Sequence, residues 1–179
     1  MAFLIAWVAR TAFLLGMLGT GICRAQTFDE YHVKAVFLYT FAKFVEWSPQ
    51  AFSSPSAAVT ICVLGEDPFG DFLNEAVRGK TVGLRLVVAR QLSGLPAARE
   101  CNILFIAASE RRRMSALLAS VSTTGVLTVG DTLDFASEGG MIGFRTEGDR
   151  IRLSVNLSAA DKAKLRISSR VLSLATIVK

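Results

Sequence analysis

The side chains that could carry chemistry are few and poorly grouped. His32 is the chain's one histidine, so a hydrolase built on a histidine base would have to bring a serine and a carboxylate to it from elsewhere in the sequence. No G-x-S-x-G motif accompanies it, and it sits inside an aromatic-rich stretch. Carboxylate pairs occur at Glu66/Asp67 and Asp131/Asp134, but without EF-hand spacing and without an H-E-x-x-H motif. They read as caps and solvated turns. The segment from Gly65 to Gly70 lies between a strand and a helix, where nucleotide-binding loops occur. It lacks the G-x-G-x-x-G glycines and places two acids where a phosphate would sit. Gly139 and Gly140 precede a strand and read as a positive-φ turn or a close backbone approach. Paired C-x-x-C zinc ligands are absent. These residues imply no enzyme, no metal and no cofactor.

Charge removes another class. Arg111, Arg112 and Arg113 form the only basic run, and three consecutive helical positions fan over about 200° of surface. That is a solvated face, not a nucleic-acid patch. Residues 1–25 differ in kind from the rest: no acid, two arginines (Arg10 and Arg24), and an apolar run of 11 residues from Ala12 to Ile22 broken only by glycines and Thr20. Small residues at Cys23 and Ala25 suit signal-peptidase cleavage before Gln26. A retained anchor is the alternative, although spanning a bilayer takes roughly 20 apolar residues. A lipoprotein reading through Cys23 is opposed by Ile22 beside it. Cleavage leaves 154 residues, 26–179, with 18 basic against 15 acidic side chains. This is enough for one domain with a real core. Three cysteines become two, Cys62 and Cys101. In an oxidising compartment they point to one disulfide, and two buried free thiols are the alternative.

The elements read as interleaved helices and strands. Thr27 and Glu30 form a capping box before apolar residues at Val33, Phe37, Phe41 and Phe44, predicting a helix over about 28–47. Its aromatics exceed one buried stripe. Val59 to Leu64 reads as a buried strand. Asp67 as N-cap and Pro68 at the first helical position open a helix closed by Gly79. Strands follow at 81–89, 102–107 and 126–129, with a helix capped by Ser109 between the last two. Met141–Arg145 and Ile151–Val155 form a hairpin around Gly148, and Ser158 with Asp161 opens a helical C-terminus. The fold class is α/β, a single domain with a mixed sheet flanked by helices.

The strings themselves carry a resemblance. Tyr31-His-Val-Lys-Ala-Val-Phe-Leu-Tyr-Thr-Phe-Ala-Lys-Phe-Val-Glu-Trp47 resembles the opening signature of the YfiR family (the DUF4154 group). Ile61-Cys-Val-Leu-Gly65, Cys101-Asn-Ile-Leu-Phe-Ile106, Ser109-Glu-Arg-Arg-Arg113, Leu127-Thr-Val-Gly-Asp131, Gly139-Gly-Met-Ile142 with Phe144, and Asn156-Leu with Ile167-Ser-Ser-Arg-Val-Leu172 follow in the family's order. The resemblance covers about 28–178. It implies a periplasmic protein, often a homodimer, that binds the periplasmic sensor part of an inner-membrane diguanylate cyclase and lowers cyclic di-GMP synthesis and biofilm formation. Cys62 and Cys101 match the family's disulfide pair. A second disulfide found in some members has no counterpart here, and Ser48 interrupts the usual Trp-Pro at the helix exit. A periplasmic receptor for a small molecule or a peptidoglycan-derived fragment is the rival reading.

The partner surface is expected on the C-terminal segment. If 165–178 is one helix, Ile167, Val171, Leu174 and Val178 fall within about 60° of one another, while Leu165 and Leu172 point more than about 120° away. One stripe faces the core and the other needs a cover. Alternatively, Leu165 precedes a helix starting at Ser168, and the second patch shrinks to Leu172, which a neighbouring loop buries. Phe44 and Trp47 on the aromatic helix are the next candidates for the contact.

Overall fold

Six consecutive residues from Val59 to Leu64 are all buried, as a strand covered on both faces must be. The computed structural model describes residues 29–178; the expected signal segment 1–25 and Thr27 of the expected capping box lie outside them. In chain order the elements are α1 (Glu30–Phe44), β1 (Val45–Glu46), β2 (Val59–Leu64), α2 (Asp71–Val77), β3 (Thr81–Val82), β4 (Arg85–Leu92), β5 (Ile103–Ile106), α3 (Met114–Val121), β6 (Leu127–Gly130), β7 (Ile142–Glu147), β8 (Arg150–Asn156), α4 (Leu157–Lys162), β9 (Arg166–Ile167), α5 (Ser169–Leu172) and β10 (Ala175–Val178).

Eight strands form one mixed sheet in the order β10-β8-β7-β6-β5-β2-β4-β3. From β4 across to β7 every neighbour is parallel. β8 returns antiparallel to β7, β10 lies parallel to β8, and β3 is antiparallel to β4. Alternate residues feed two cores, as the period of two requires. Val59, Ile61 and Val63 of β2, with Ile103 and Phe105 of β5, face α1 and α2. Cys62, Leu64, Leu104 and Ile106 face α3 and Phe135. Sheet and helices thus match the α/β class read from the sequence. Cys62 and Cys101 are joined as a disulfide, with Cα atoms 6.0 Å apart. It ties the middle of β2 to a position two residues before β5.

Several boundaries differ from expectation, each for a local reason. α1 stops at Phe44 because Val45 turns extended and, with Glu46, pairs antiparallel to Ile167 and Arg166. A long-range pairing of a β-branched residue overrides the helical pattern. At its start, Asp29 is the cap, accepting from the His32 amide. Asp67 caps no helix: its carboxylate accepts from the Phe69 amide at 2.8 Å, which closes a turn containing Pro68, and α2 begins only at Asp71. Ser109 lies in a 3₁₀ segment, where its hydroxyl accepts from the Glu66 amide at 2.9 Å, and α3 starts at Met114. The expected strand 81–89 splits into a β3–β4 hairpin at Gly83, where φ is +58°. α4 is capped by Asn156, whose side chain accepts from the Ala159 amide, and not by Ser158.

The largest correction is at the C-terminus, where 165–178 is not one helix. Lys164 adopts φ +57° after α4, β9 pairs with β1, α5 is a four-residue turn capped by Ser168, and Ala175–Val178 runs beside β8. The β-branched run Thr176-Ile177-Val178 prefers a pleated strand to a helix.

Candidate functional site

The chain order places β4 on one side of β2 and β5 on the other, so the carboxyl ends of β2 and β5 flank a topological switch point, where open parallel sheets bind ligands. Two adjoining clefts open there. One of about 230 Å³ is lined by Tyr31, Glu66, Asp67, Pro68 and Ser109, among others. The other, about 450 Å³, extends past the end of β6 and is lined by Glu30, Tyr31, Lys34, Asp131, Thr132 and Leu133 and by residues of β7, β8 and β10. Tyr31 borders both. The turn after β6 is held in place by Phe135, for a Cβ at either Gly130 or Gly140 would collide with its ring. Gly140 therefore serves the close approach its sequence position suggested, and Gly139 takes φ +103°.

The polar centre of the larger cleft is an ion cluster that the sequence reading missed. Lys34 lies on the buried stripe of α1 with Leu38 and Phe41 and is 2% exposed. A buried ammonium must be paired. Lys34 Nζ donates to Glu30 one turn earlier and to Asp131 Oδ2 at 2.7 Å. The Tyr31 hydroxyl donates to the same Oδ2 at 3.0 Å, and Lys34 Nζ stands 4.4 Å from the Tyr31 ring centroid. Burial first, and the Asp131 carboxylate second, push the Tyr31 phenol above its ordinary pKa. Both bonds fall on Oδ2, so Asp131 Oδ1 has no hydrogen-bond partner among the described residues. At the next position in the sequence, the buried Thr132 hydroxyl also has no partner among the described residues. At the far end of the cleft, Arg145 and Arg152 both engage Glu147. The hydrogen bond from Arg145 is the main influence holding the exposed Glu147 carboxyl below its usual range. The signal that could have found this cluster is a lysine on an otherwise apolar helical stripe, four residues after a glutamate.

The residues expected to contact a partner are dispersed. Leu165 and Val171 are buried in the core that α1 shares with β8. Ile167 pairs with Val45, and the Phe44 carbonyl accepts from the Ser168 amide at 2.9 Å. The Arg170 guanidinium lies 5.3 Å from the half-buried Phe44 ring. Trp47 is half-buried and its indole donates to the Asn102 carbonyl at 3.3 Å. Leu172 is half-buried, whereas Leu174 is 62% exposed, near Ile177 of β10 at 46%. His32 stacks on Phe72 at the surface, and no hydrogen bond joins its imidazole to a serine or a carboxylate among the described residues. No described helix is long and apolar enough to cross a membrane.

A family model described as DUF4154, YfiR/HmsC-like, matches residues 31–176. The chain belongs to that family. Among curated proteins none matches the chain. Solved structures share the fold at low identity. A conserved domain protein from Vibrio cholerae matches with a TM-score of 0.59 at 10% identity over 84% of this chain and 60% of its own. An ABC domain from Streptococcus pneumoniae, solved in complex with L-Trp, matches with a TM-score of 0.53 at 10% identity over 82% of this chain and 60% of its own. The YfiR/HmsC-like chain thus spans about 60% of each of those chains.

Proposed function

We propose that this protein is exported, loses residues 1–25, and acts in the periplasm as a negative regulator. In this reading it binds the periplasmic sensor part of an inner-membrane diguanylate cyclase, lowers cyclic di-GMP synthesis, and catalyses no reaction itself. The family match over 31–176 carries the proposal. The exposed apolar residues of the C-terminal segment support it, because Leu174 stands on the edge-strand side of the sheet, where main-chain groups are free to meet another protein. The contact is assigned to Leu174 with the half-buried Leu172, and Phe44, Ile167 and Trp47 extend it toward the α1 exit. Leu165 and Val171 support that surface from the core.

A photo-crosslinker at position 174 in living cells, with cyclic di-GMP measured in parallel for Leu174→Glu, tests the reading. Capture of a membrane diguanylate cyclase, together with raised cyclic di-GMP from a folded Leu174→Glu protein, is the expected result. Capture of a second copy of the chain alone, with unchanged cyclic di-GMP, would overturn the assignment of this surface to the cyclase.

A further inference from the structure

The edge of the sheet opposite β10 ends in the β3–β4 hairpin, and its turn presents a leucine to solvent. Val82 pairs with Arg85, so the loop between them is Gly83 and Leu84. Gly83 takes the left-handed conformation that lets the chain reverse in two residues. Leu84 is 97% exposed and Leu86, two positions on, is 57% exposed. The hairpin is held rigidly from behind: the Arg85 guanidinium donates to the Ser54 and Ala57 carbonyls at 2.9 and 2.7 Å and stacks on the Phe52 ring at 3.7 Å. The tip is therefore displayed on a fixed support.

The charge around this tip has one sign. From Ala76 to Arg99 the sequence holds five basic residues, Arg78, Lys80, Arg85, Arg90 and Arg99, and no acid. Among the described residues Arg90 meets Glu100, whereas Arg78, Lys80 and Arg85 are paired with no carboxylate. Arg78 and Lys80 are exposed, and the Lys80 carbonyl accepts from the Val87 amide at 2.9 Å, which fixes Lys80 beside the strand that carries Leu86. Cations on a short edge strand also discourage edge-to-edge pairing. That role asks for a polar tip, and a leucine there works against it.

The shape selects among partners. A protein would need roughly 800 Å² of matched surface for a stable interface, and the two clefts described above take in neither leucine. A bilayer of anionic lipid needs only an apolar point that reaches the acyl boundary and cations at the level of its phosphates. Long basic side chains meet that level while their stems lie along the apolar layer.

We infer that the β3–β4 hairpin docks on the surface of an anionic lipid bilayer, with Leu84 entering the interface, Arg78 and Lys80 meeting phosphates and Arg85 adding charge. This goes beyond the regulatory reading and does not depend on it. Because β3 and β10 are the two edges of the sheet, such docking leaves Leu174 free. A second acid-free basic stretch, from Lys162 to Lys179, carries that leucine and belongs to the surface already assigned.

The test is co-sedimentation of residues 26–179, which contain every described element, with vesicles of phosphatidylglycerol and phosphatidylcholine in equal parts and with vesicles of phosphatidylcholine alone. Binding to the anionic vesicles only, weakened by added salt, is expected. Leu84→Ser should weaken it about tenfold, and Arg78→Gln and Lys80→Gln about fivefold each. Arg112→Gln and Leu133→Ser, an exposed arginine and an exposed leucine elsewhere, should bind as the parent does. Thermal unfolding of each variant verifies that it is folded. The proposal fails if the chain binds neither vesicle or both equally, if folded Leu84→Ser binds like the parent, or if the two distant variants lose as much. Sedimentation velocity without lipid covers the rival occupant: a dimer that Leu84→Ser dissociates would assign the hairpin to a second copy of the chain and overturn the lipid assignment.

Discussion

Lys34 carries the heaviest electrostatic demand among the described residues, since an ammonium at 2% exposure is tolerable only while Asp131 and Glu30 face it. Asp131 is the partner that matters, with its side chain 5% exposed, whereas Glu30 is one-third exposed and largely screened. Lys34→Ala leaves the Asp131 carboxylate buried with only the Tyr31 hydroxyl, so a loss of about 3–5 kcal/mol is expected, read as a lower urea midpoint at unchanged slope. Tyr31 yields a second, pH-resolved prediction. Its phenol titrates higher in the folded protein than in the unfolded chain, whose tyrosines ionise near pH 10. Its contribution to stability is therefore fully present below about pH 10 and is lost as the pH rises through the folded value, because the unfolded chain gives up that proton first. Melting temperature recorded from pH 8 to 11 should fall less steeply for Tyr31→Phe than for the parent. Identical slopes would show that this hydroxyl has the same environment folded and unfolded.

Helices and strands differ in how much of the truth their sequences held. The central strands were legible because burial on both faces leaves nothing but apolar and β-branched residues, as in Val59–Leu64 and Ile103–Ile106. Boundaries set by distant partners were not: Val45 looks like the last turn of a helix until Ile167 is placed beside it. The C-terminal segment misled for the same reason. Its apolar residues fit helical spacing over 165–178, yet they serve β9, α5 and β10 in turn. The candidate site was half visible. Asp131 and Asp134 were noticed as a pair, but Lys34, which bonds Asp131 alone of the two, is 97 positions away from it and the pairing exists only in three dimensions. Side-chain deletion should separate the roles that one helix would have merged. Leu165→Ala empties a core position and is expected to cost about 2–5 kcal/mol, while Leu174→Ala at the surface should stay within about 0.5 kcal/mol. Chemical denaturation of both variants measures the contrast.

For the molecule as a whole, the cross-link between Cys62 and Cys101 closes a loop with a sequence separation of 39, worth about 4 kcal/mol in the chain-entropy account. The double variant Cys62→Ala/Cys101→Ala should lose a stabilisation of that order, and the parent should show no alkylatable thiol at these two positions until it is reduced. Mass spectrometry of periplasmic protein should find an N-terminus at or within a few residues of Gln26; full-length chain recovered only from the cytoplasm would defeat the export proposal. The clasp between β1 and β9 bears on how the protein comes into being. A polypeptide delivered N-terminus first has α1 from the outset, and it can assemble β2, β4, β5 and β6 and close its cross-link from chain already in hand. The exit of α1 must wait for Arg166, Ile167 and the Ser168 amide that meets the Phe44 carbonyl, a contact of very long sequence separation that forms late and slowly. The aromatic end of α1 is thus among the last surfaces to be tied down.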